Sequence, residues 1–176
     1  MPSPTRTTNA KVIAAAQDVL EAAGPAGLTM QEVAARVGVR APSLYKRFAD
    51  REAVLAAVVA ATVEELGRRL EAAPDLTALA TTYRAFAHER PEAFRLVFTP
   101  YAEEEALRRS AAPVLRAAAQ LVGEEDALAA ARLFTAWATG FLHMELAGAF
   151  RLGGDVDEAF RYGLEHLLAG LVAPPR

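Results

Sequence analysis

The chain has 176 residues, 53% of them hydrophobic, no cysteine and a formal net charge of −3. That length is enough for one or two small domains with a real core, and the absence of Cys excludes a disulfide framework, a thiolate metal site and a cysteine nucleophile. The charge is divided: residues 1–50 hold six Lys/Arg against four Asp/Glu, residues 51–176 thirteen against eighteen, a mildly basic head on an acidic body that suits a protein presenting one face to DNA.

The opening Met-Pro-Ser-Pro-Thr-Arg carries no apolar run of the kind that makes a signal peptide, so a cytoplasmic protein is expected. A first helix follows with Val12, Ile13, Ala16 and Leu20 on one face, ending at Gly24. Thr29 can cap a second, with Glu32 at capping-box spacing. Val33, Ala34 and Val37 form its short apolar face, and Gly38 ends it before Val39 plugs the turn. Pro42 suits the first turn of a third helix, where its missing N–H is no loss. Leu44 and Phe48 point inward there at i and i+4, which leaves Arg40, Ser43, Tyr45, Lys46 and Arg47 on or near the outer surface. Two short helices joined by a tight Gly turn, the second polar and basic outside, make a helix-turn-helix able to enter a major groove.

The remainder is predicted helical throughout, giving an all-α protein of about nine helices with a domain boundary at residues 50/51. Asp50 caps a long fourth helix with Leu55, Val59, Thr62, Leu66 and Leu70 inward, ending near Pro74. Asp75 opens a fifth with Leu76, Leu79, Tyr83 and Phe86, stopping at Pro91. A short sixth carries Phe94, Leu96, Val97 and Phe98, and a seventh spans about 103–122 with Pro113 as a kink. The eighth is expected over 125–150, stopped by Gly153-Gly154. Asp155 and Glu158 then repeat the capping-box spacing before a last helix bearing Val156, Phe160, Gly163, Leu164, Leu167, Leu168 and Leu171.

The 133–150 stretch is apolar but contains Thr135, Thr139, His143 and Glu145, so a helix buried among others explains it better than a membrane span. Tyr83, Phe86, Phe94, Phe98, Trp137 and Phe141 gather most of the body's aromatic residues, a composition that fits a ligand pocket or a packed core, and the sequence leaves both readings open. His143 and Glu145 are two apart and face different sides of a helix, which argues against a metal pair, so no metal and no cofactor is expected. No Gly-rich phosphate loop or nucleophile elbow is present, and no catalytic residue is assigned.

The wider pattern resembles the N-terminal domain of the TetR family of bacterial transcriptional regulators: the apolar first helix, Gly24, Leu-Thr-Met-x-x-Val-Ala from Leu28, Gly-Val-x-x-Pro-Ser-Leu-Tyr-x-x-Phe from Gly38, then Asp50-Arg51-Glu52. It covers roughly residues 8–66. Trp137-Ala138-Thr139-Gly140 with Leu146-Ala147-Gly148 and Phe150 is similar to a subgroup named for a Trp-His-Gly motif, with Thr139 standing where that subgroup usually has His. The resemblance implies a homodimeric repressor that binds a palindromic double-stranded operator through residues 1–50 and is released by a small-molecule effector held in residues 51–176. It implies DNA contacts at Thr29 and Gln31, at Arg40 toward a guanine edge, at Ala41 and Pro42 toward bases, at Ser43 and Tyr45 toward phosphate, with added charge from Lys46 and Arg47 and a phosphate clamp from Arg51. It places the subunit interface on the last two helices, where Gly140, Gly148, Phe160, Gly163, Leu164, Leu167 and Leu171 are the expected contact residues. The competing expectation is a helical small-molecule-binding or scaffold protein without DNA binding, which would lack salt-sensitive DNA affinity.

Overall fold

A computed structural model describes residues 7–172. Among these the chain forms nine helices: α1 (Asn9–Gly27), α2 (Met30–Arg36), α3 (Ala41–Leu44), α4 (Arg51–Glu71), α5 (Leu76–Glu89), α6 (Pro91–Leu96), α7 (Glu104–Val122), α8 (Ala127–Leu146) and α9 (Val156–Val172). The starts are set by side-chain caps that satisfy otherwise orphaned N–H groups. Thr29 Oγ1 accepts from the Glu32 N–H at 3.2 Å, Asp50 Oδ1 from Ala53 at 2.8 Å, Asp75 Oδ1 from Ala78 at 2.8 Å, and Asp155 Oδ1 from Asp157 and Glu158 at 2.7 and 3.2 Å. No helix among the described residues is long and apolar enough to cross a membrane.

Two helix ends differ from expectation. The eighth helix stops at Leu146, not at Gly153-Gly154, because Gly148 adopts φ +61°. That conformation lets the Ala149 N–H return to Met144 O at 2.9 Å and the Gly148 N–H to Glu145 O at 2.9 Å, closing the last turn. The third helix has only four residues, although the Phe48 N–H still reaches Leu44 O at 2.9 Å and prolongs the turn to the inward aromatic ring.

The chain forms two compact units. Among the described residues, the first takes 7–64 together with Arg90–Ala106, and the second takes Glu65–Glu89 together with 107–172. The first is larger than the 1–50 segment expected. Its core joins Val12, Leu20, Leu28, Val33, Leu44 and Phe48 to Val54, Leu55 and Val58 of α4 and to Ala93 of α6. Glu21 of α1 ties α6 in place, its carboxylate accepting the Glu92 and Ala93 N–H groups at 3.0 Å each, where the positive end of a helix favours a negative charge.

The second unit buries Leu76, Leu79, Tyr83 and Phe86 of α5, Phe134, Ala138 and Leu142 of α8, and Phe160 and Leu164 of α9. Trp137 stacks on Phe160 with centroids 5.3 Å apart and lies 5.9 Å from Phe141, which meets Phe150 at 4.8 Å. Gly163 permits this: a Cβ there would stand 2.7 Å from Trp137 Cζ2. Gly163→Ala is therefore expected to turn Trp137 off the Phe160 ring and destabilise the unit by about 1–3 kcal/mol, seen as a change in near-ultraviolet circular dichroism and a lower urea midpoint. An unchanged Trp137 signal and midpoint would show that the indole shifts at no cost.

Candidate nucleic-acid interface

The helix-turn-helix is built by a tight return at Gly38. With φ +70°, Gly38 lets the Val39 N–H reach Ala34 O at 2.9 Å, ending α2 and starting the link to α3. Val33, Ala34, Leu44 and Phe48 are buried beneath the motif. Opposite this core, Thr29, Gln31, Arg40, Pro42, Ser43, Lys46 and Arg47 are exposed, Ala41 is partly so, and Tyr45 is 54% exposed. A large aromatic ring left in water beside cations gains nothing from the fold, which makes Tyr45 a contact candidate.

Two of the expected DNA-binding side chains are engaged inside the protein. Arg47 donates to Asn9 Oδ1 at 2.9 Å and to the Thr7 carbonyl at 2.5 Å, so it ties the end of the recognition segment to the start of α1. Arg51 donates through Nε to Leu28 O at 2.8 Å, through Nη2 to Pro25 O, and through Nη1 to Glu52 at 2.6 Å. Pro25 lies in the last turn of α1 and Leu28 caps that helix just before α2, so Arg51 ties the end of α1 to the start of α4. Glu52 in turn accepts the Tyr101 hydroxyl at 2.5 Å, and this bond holds the phenol above its ordinary pKa. Glu21, Asn9 and Tyr101 carry no signal in the sequence, since each partner lies 38 or more positions away.

The aromatic residues expected to line a ligand pocket fall in both units. Phe94 and Phe98 belong to the first unit, Phe94 buried and Phe98 54% exposed; Tyr83, Phe86, Trp137 and Phe141 belong to the second. Phe86 is fully buried, and the Tyr83 hydroxyl lies 3.1 Å from Thr139 Oγ1 with its pKa pushed up to about 12 by burial. A groove of about 410 Å³ runs between α5 and α9, lined by Thr77, Thr81, Arg84, Phe160 and Leu164 and by none of the six aromatics.

The expected interface residues also divide. Phe160 and Leu164 are buried within their own unit, Gly163 is covered by Trp137, and Gly148 is a helix stop. Gly140 is exposed, and Leu167 and Leu171 are partly exposed. Apolar side chains that the sequence reading missed lie open on the same helices: Leu133 and Met144 on α8, Tyr162 and Val172 on α9. Among the described residues no three His, Asp or Glu side chains lie together as a metal site would need.

Comparison with known proteins is consistent over almost the whole chain. Residues 12–58 match the family described as bacterial regulatory proteins, tetR family, and residues 76–167 match the tetracyclin repressor-like C-terminal domain. An HTH-type transcriptional regulator of Saccharopolyspora erythraea is 28% identical over 94% of this chain and 85% of its own. A Rhodococcus sp. RHA1 protein of unknown function is 27% identical with a TM-score of 0.82, over 98% of this chain and 100% of its own. A single-substitution variant of TetR from Acinetobacter baumannii AYE, solved in complex with minocycline, is 26% identical with a TM-score of 0.71, over 94% of this chain and 96% of its own.

Proposed function

The chain belongs to the TetR family of bacterial regulatory proteins and carries its DNA-binding domain, and on that premise we propose that it is a repressor that binds an inverted-repeat operator as a homodimer and leaves it when a small molecule binds. The observation that carries the DNA half is the exposed row Arg40, Pro42, Ser43, Tyr45 and Lys46 over a core made of Val33, Leu44 and Phe48. A guanidinium at the entry to the recognition segment can reach O6 and N7 of guanine together, a pattern no other base presents, whereas hydroxyls and Lys46 suit phosphate. The first unit is the DNA-binding part and the second the regulatory part. Localisation is cytoplasmic, at the nucleoid.

The homodimer is supported by Leu133, Met144, Tyr162 and Val172, large apolar side chains left exposed on α8 and α9, where a second copy would cover them. Two recognition segments related by two-fold symmetry then meet half-sites about one helical turn apart. The effector reading is supported by the minocycline complex of the Acinetobacter relative; a ligand releases DNA only by binding the released form more tightly. Trp137, packed in the second unit, is expected to report effector binding as a change in emission.

The test is selection of DNA fragments by the purified protein, followed by titration of the enriched site. Arg40→Ala is expected to lose roughly 1–3 kcal/mol on that site and to relax preference at one base position in each half-site. An even loss across all sequences would move Arg40 to a phosphate, and sedimentation as a monomer at micromolar concentration with and without DNA would remove the dimer.

A further inference from the structure

The groove between α5 and α9 changes character along its length. At the start of α9 the Arg84 guanidinium meets the Asp157 carboxylate at 2.6 Å, so this end is charged. Leu168 lines the other end, roughly 16 Å along α9 from Asp157 at 1.5 Å per residue. Phe160 and Leu164 lie between them, and Thr77 and Thr81 of α5 form the opposite wall. The volume of about 410 Å³ suits a small organic molecule. The charge does not balance. Arg84 and Arg161 line the groove with Asp157 and Glu165, and Glu145, only 10% exposed, already binds Arg84 from α8. Arg161 stands four residues from both Asp157 and Glu165 and offsets one of them. Three carboxylates against two guanidiniums leave one negative charge beside an apolar wall, and Asp157, 73% exposed, is the carboxylate most open to a ligand.

We propose that this groove is the effector site and that it takes an apolar monocation, an alkyl- or arylammonium compound, with the ammonium on Asp157 and Thr81 and the apolar body over Phe160, Leu164 and Leu168. The inference rests on the effector reading above and gives it a site and a ligand class. An ammonium carries donors only. The Asp157 carboxylate accepts, and the Thr81 hydroxyl, which donates to the Thr77 carbonyl at 2.9 Å, keeps its lone pairs for accepting. A ligand carboxylate would instead meet the excess negative charge and be repelled. Arg84 joins α5 to Glu145 of α8 and to Asp157 of α9, so an ammonium that takes over Asp157 changes what fixes the start of α9. Trp137 stacks on the Phe160 ring at 5.3 Å and so senses whether the groove is filled.

The test titrates the full-length protein, followed by Trp137 emission, with octylammonium, octanol and octanoate, three heads on one tail. The buffer is held at about pH 8, where an alkylammonium keeps its charge and histidine is neutral. Octylammonium is expected to bind about 5- to 12-fold more tightly than octanol, the value of a charge-assisted hydrogen bond to an exposed partner, and octanoate to bind most weakly. Asp157→Asn is expected to remove that advantage while leaving octanol binding unchanged, which also shows that the variant is folded. Thr77→Phe, which fills the groove from an exposed position, is expected to abolish saturable binding of all three with the ligand-free urea midpoint unchanged. On the selected operator, saturating octylammonium is expected to weaken wild-type affinity about 5- to 150-fold and to leave that of Thr77→Phe unaltered. Equal affinity for the three heads, or no saturable response to any, overturns the ligand class. Binding and operator release that survive both substitutions overturn the groove and leave the effector reading standing. Binding that Thr77→Phe abolishes, with operator affinity untouched at saturation in the wild type, overturns the groove's regulatory role. Sedimentation showing that Thr77→Phe turns a wild-type dimer into a monomer would mean that a second copy covers the groove, and would overturn the ligand assignment.

Discussion

Arg51→Ala is expected to destabilise the protein by about 2–4 kcal/mol while leaving the salt dependence of DNA binding nearly unchanged. Hydrogen bonds from a charged donor contribute roughly 1.5–3 kcal/mol each. Arg51 makes two of them, to the Leu28 and Pro25 carbonyls, besides its pair with Glu52. The side chain is 35% exposed, so water takes over part of what is lost and the sum is discounted accordingly. For a chain of this size that loss lowers the melting temperature by roughly 4–16 °C. Arg51→Lys is expected to rescue little, because a single ammonium on a flexible stem does not reproduce a guanidinium fork spanning two carbonyls. The phosphate clamp implied by family resemblance makes the opposite forecast, a normal melting temperature with a salt slope smaller by about 0.9. Thermal denaturation beside a salt titration decides between them, and it also bears on Tyr101, which reaches the same corner through Glu52 at 2.5 Å.

The second large effect lies in the other unit. Arg84 of α5 binds Glu145 of α8 through Nε at 3.1 Å and through Nη2, and it reaches Asp157 at the start of α9 at 2.6 Å. These contacts hold the guanidinium above its ordinary pKa, with the Glu145 hydrogen bonds the leading cause. Its carbon Cζ sits 4.7 Å over the Phe160 ring. The Arg84 and Glu145 side chains are only 17% and 10% exposed, so Arg84→Met leaves a nearly buried carboxylate without its cation. Removing one partner of such a pair destabilises by about 3–5 kcal/mol. His88 Nε2 lies 3.2 Å from the same carboxylate. Adding Glu145→Gln to Arg84→Met is expected to restore much of the loss, since the orphaned charge is then gone. Urea denaturation followed through Trp137 measures both, and a loss below about 1 kcal/mol for Arg84→Met would mean that water screens the cluster as it does a surface pair.

These two arginines, with Glu21 and Arg47, share one property. Each joins segments far apart in the chain: Arg51 to Leu28, Arg84 to Glu145, Glu21 to Glu92, Arg47 to Asn9. In a sequence an arginine in a basic stretch reads as a nucleic-acid contact, because the stretch shows its charge and conceals its partner. Arg51 follows the recognition segment directly and so reads as a phosphate ligand; its position at the head of α4 turns its fork back onto carbonyls that end α1. Tyr83, Phe86, Phe94 and Phe98 lie close together in the sequence, yet the first two belong to the second unit and the last two to the first.

What the sequence determined by itself is the local order of the chain. Thr29, Asp50, Asp75 and Asp155 announce helix starts because a short polar side chain can satisfy an N–H two or three residues on, and all four do so. Gly38 announces the turn because only it takes φ +70° without strain, and Val33, Leu44 and Phe48 are inward because helical periodicity places them there. Those signals span at most a few residues, so they are legible in one dimension, and together they carry the family and the DNA-binding motif. Only the tertiary structure decided the boundary of the first unit, the internal roles of Arg47 and Arg51, and which faces of α8 and α9 stay open. Each of these depends on which distant segment fills the space beside a side chain. Burial and long-range hydrogen bonds are set by the packing of whole helices, and no local spacing in the sequence encodes them.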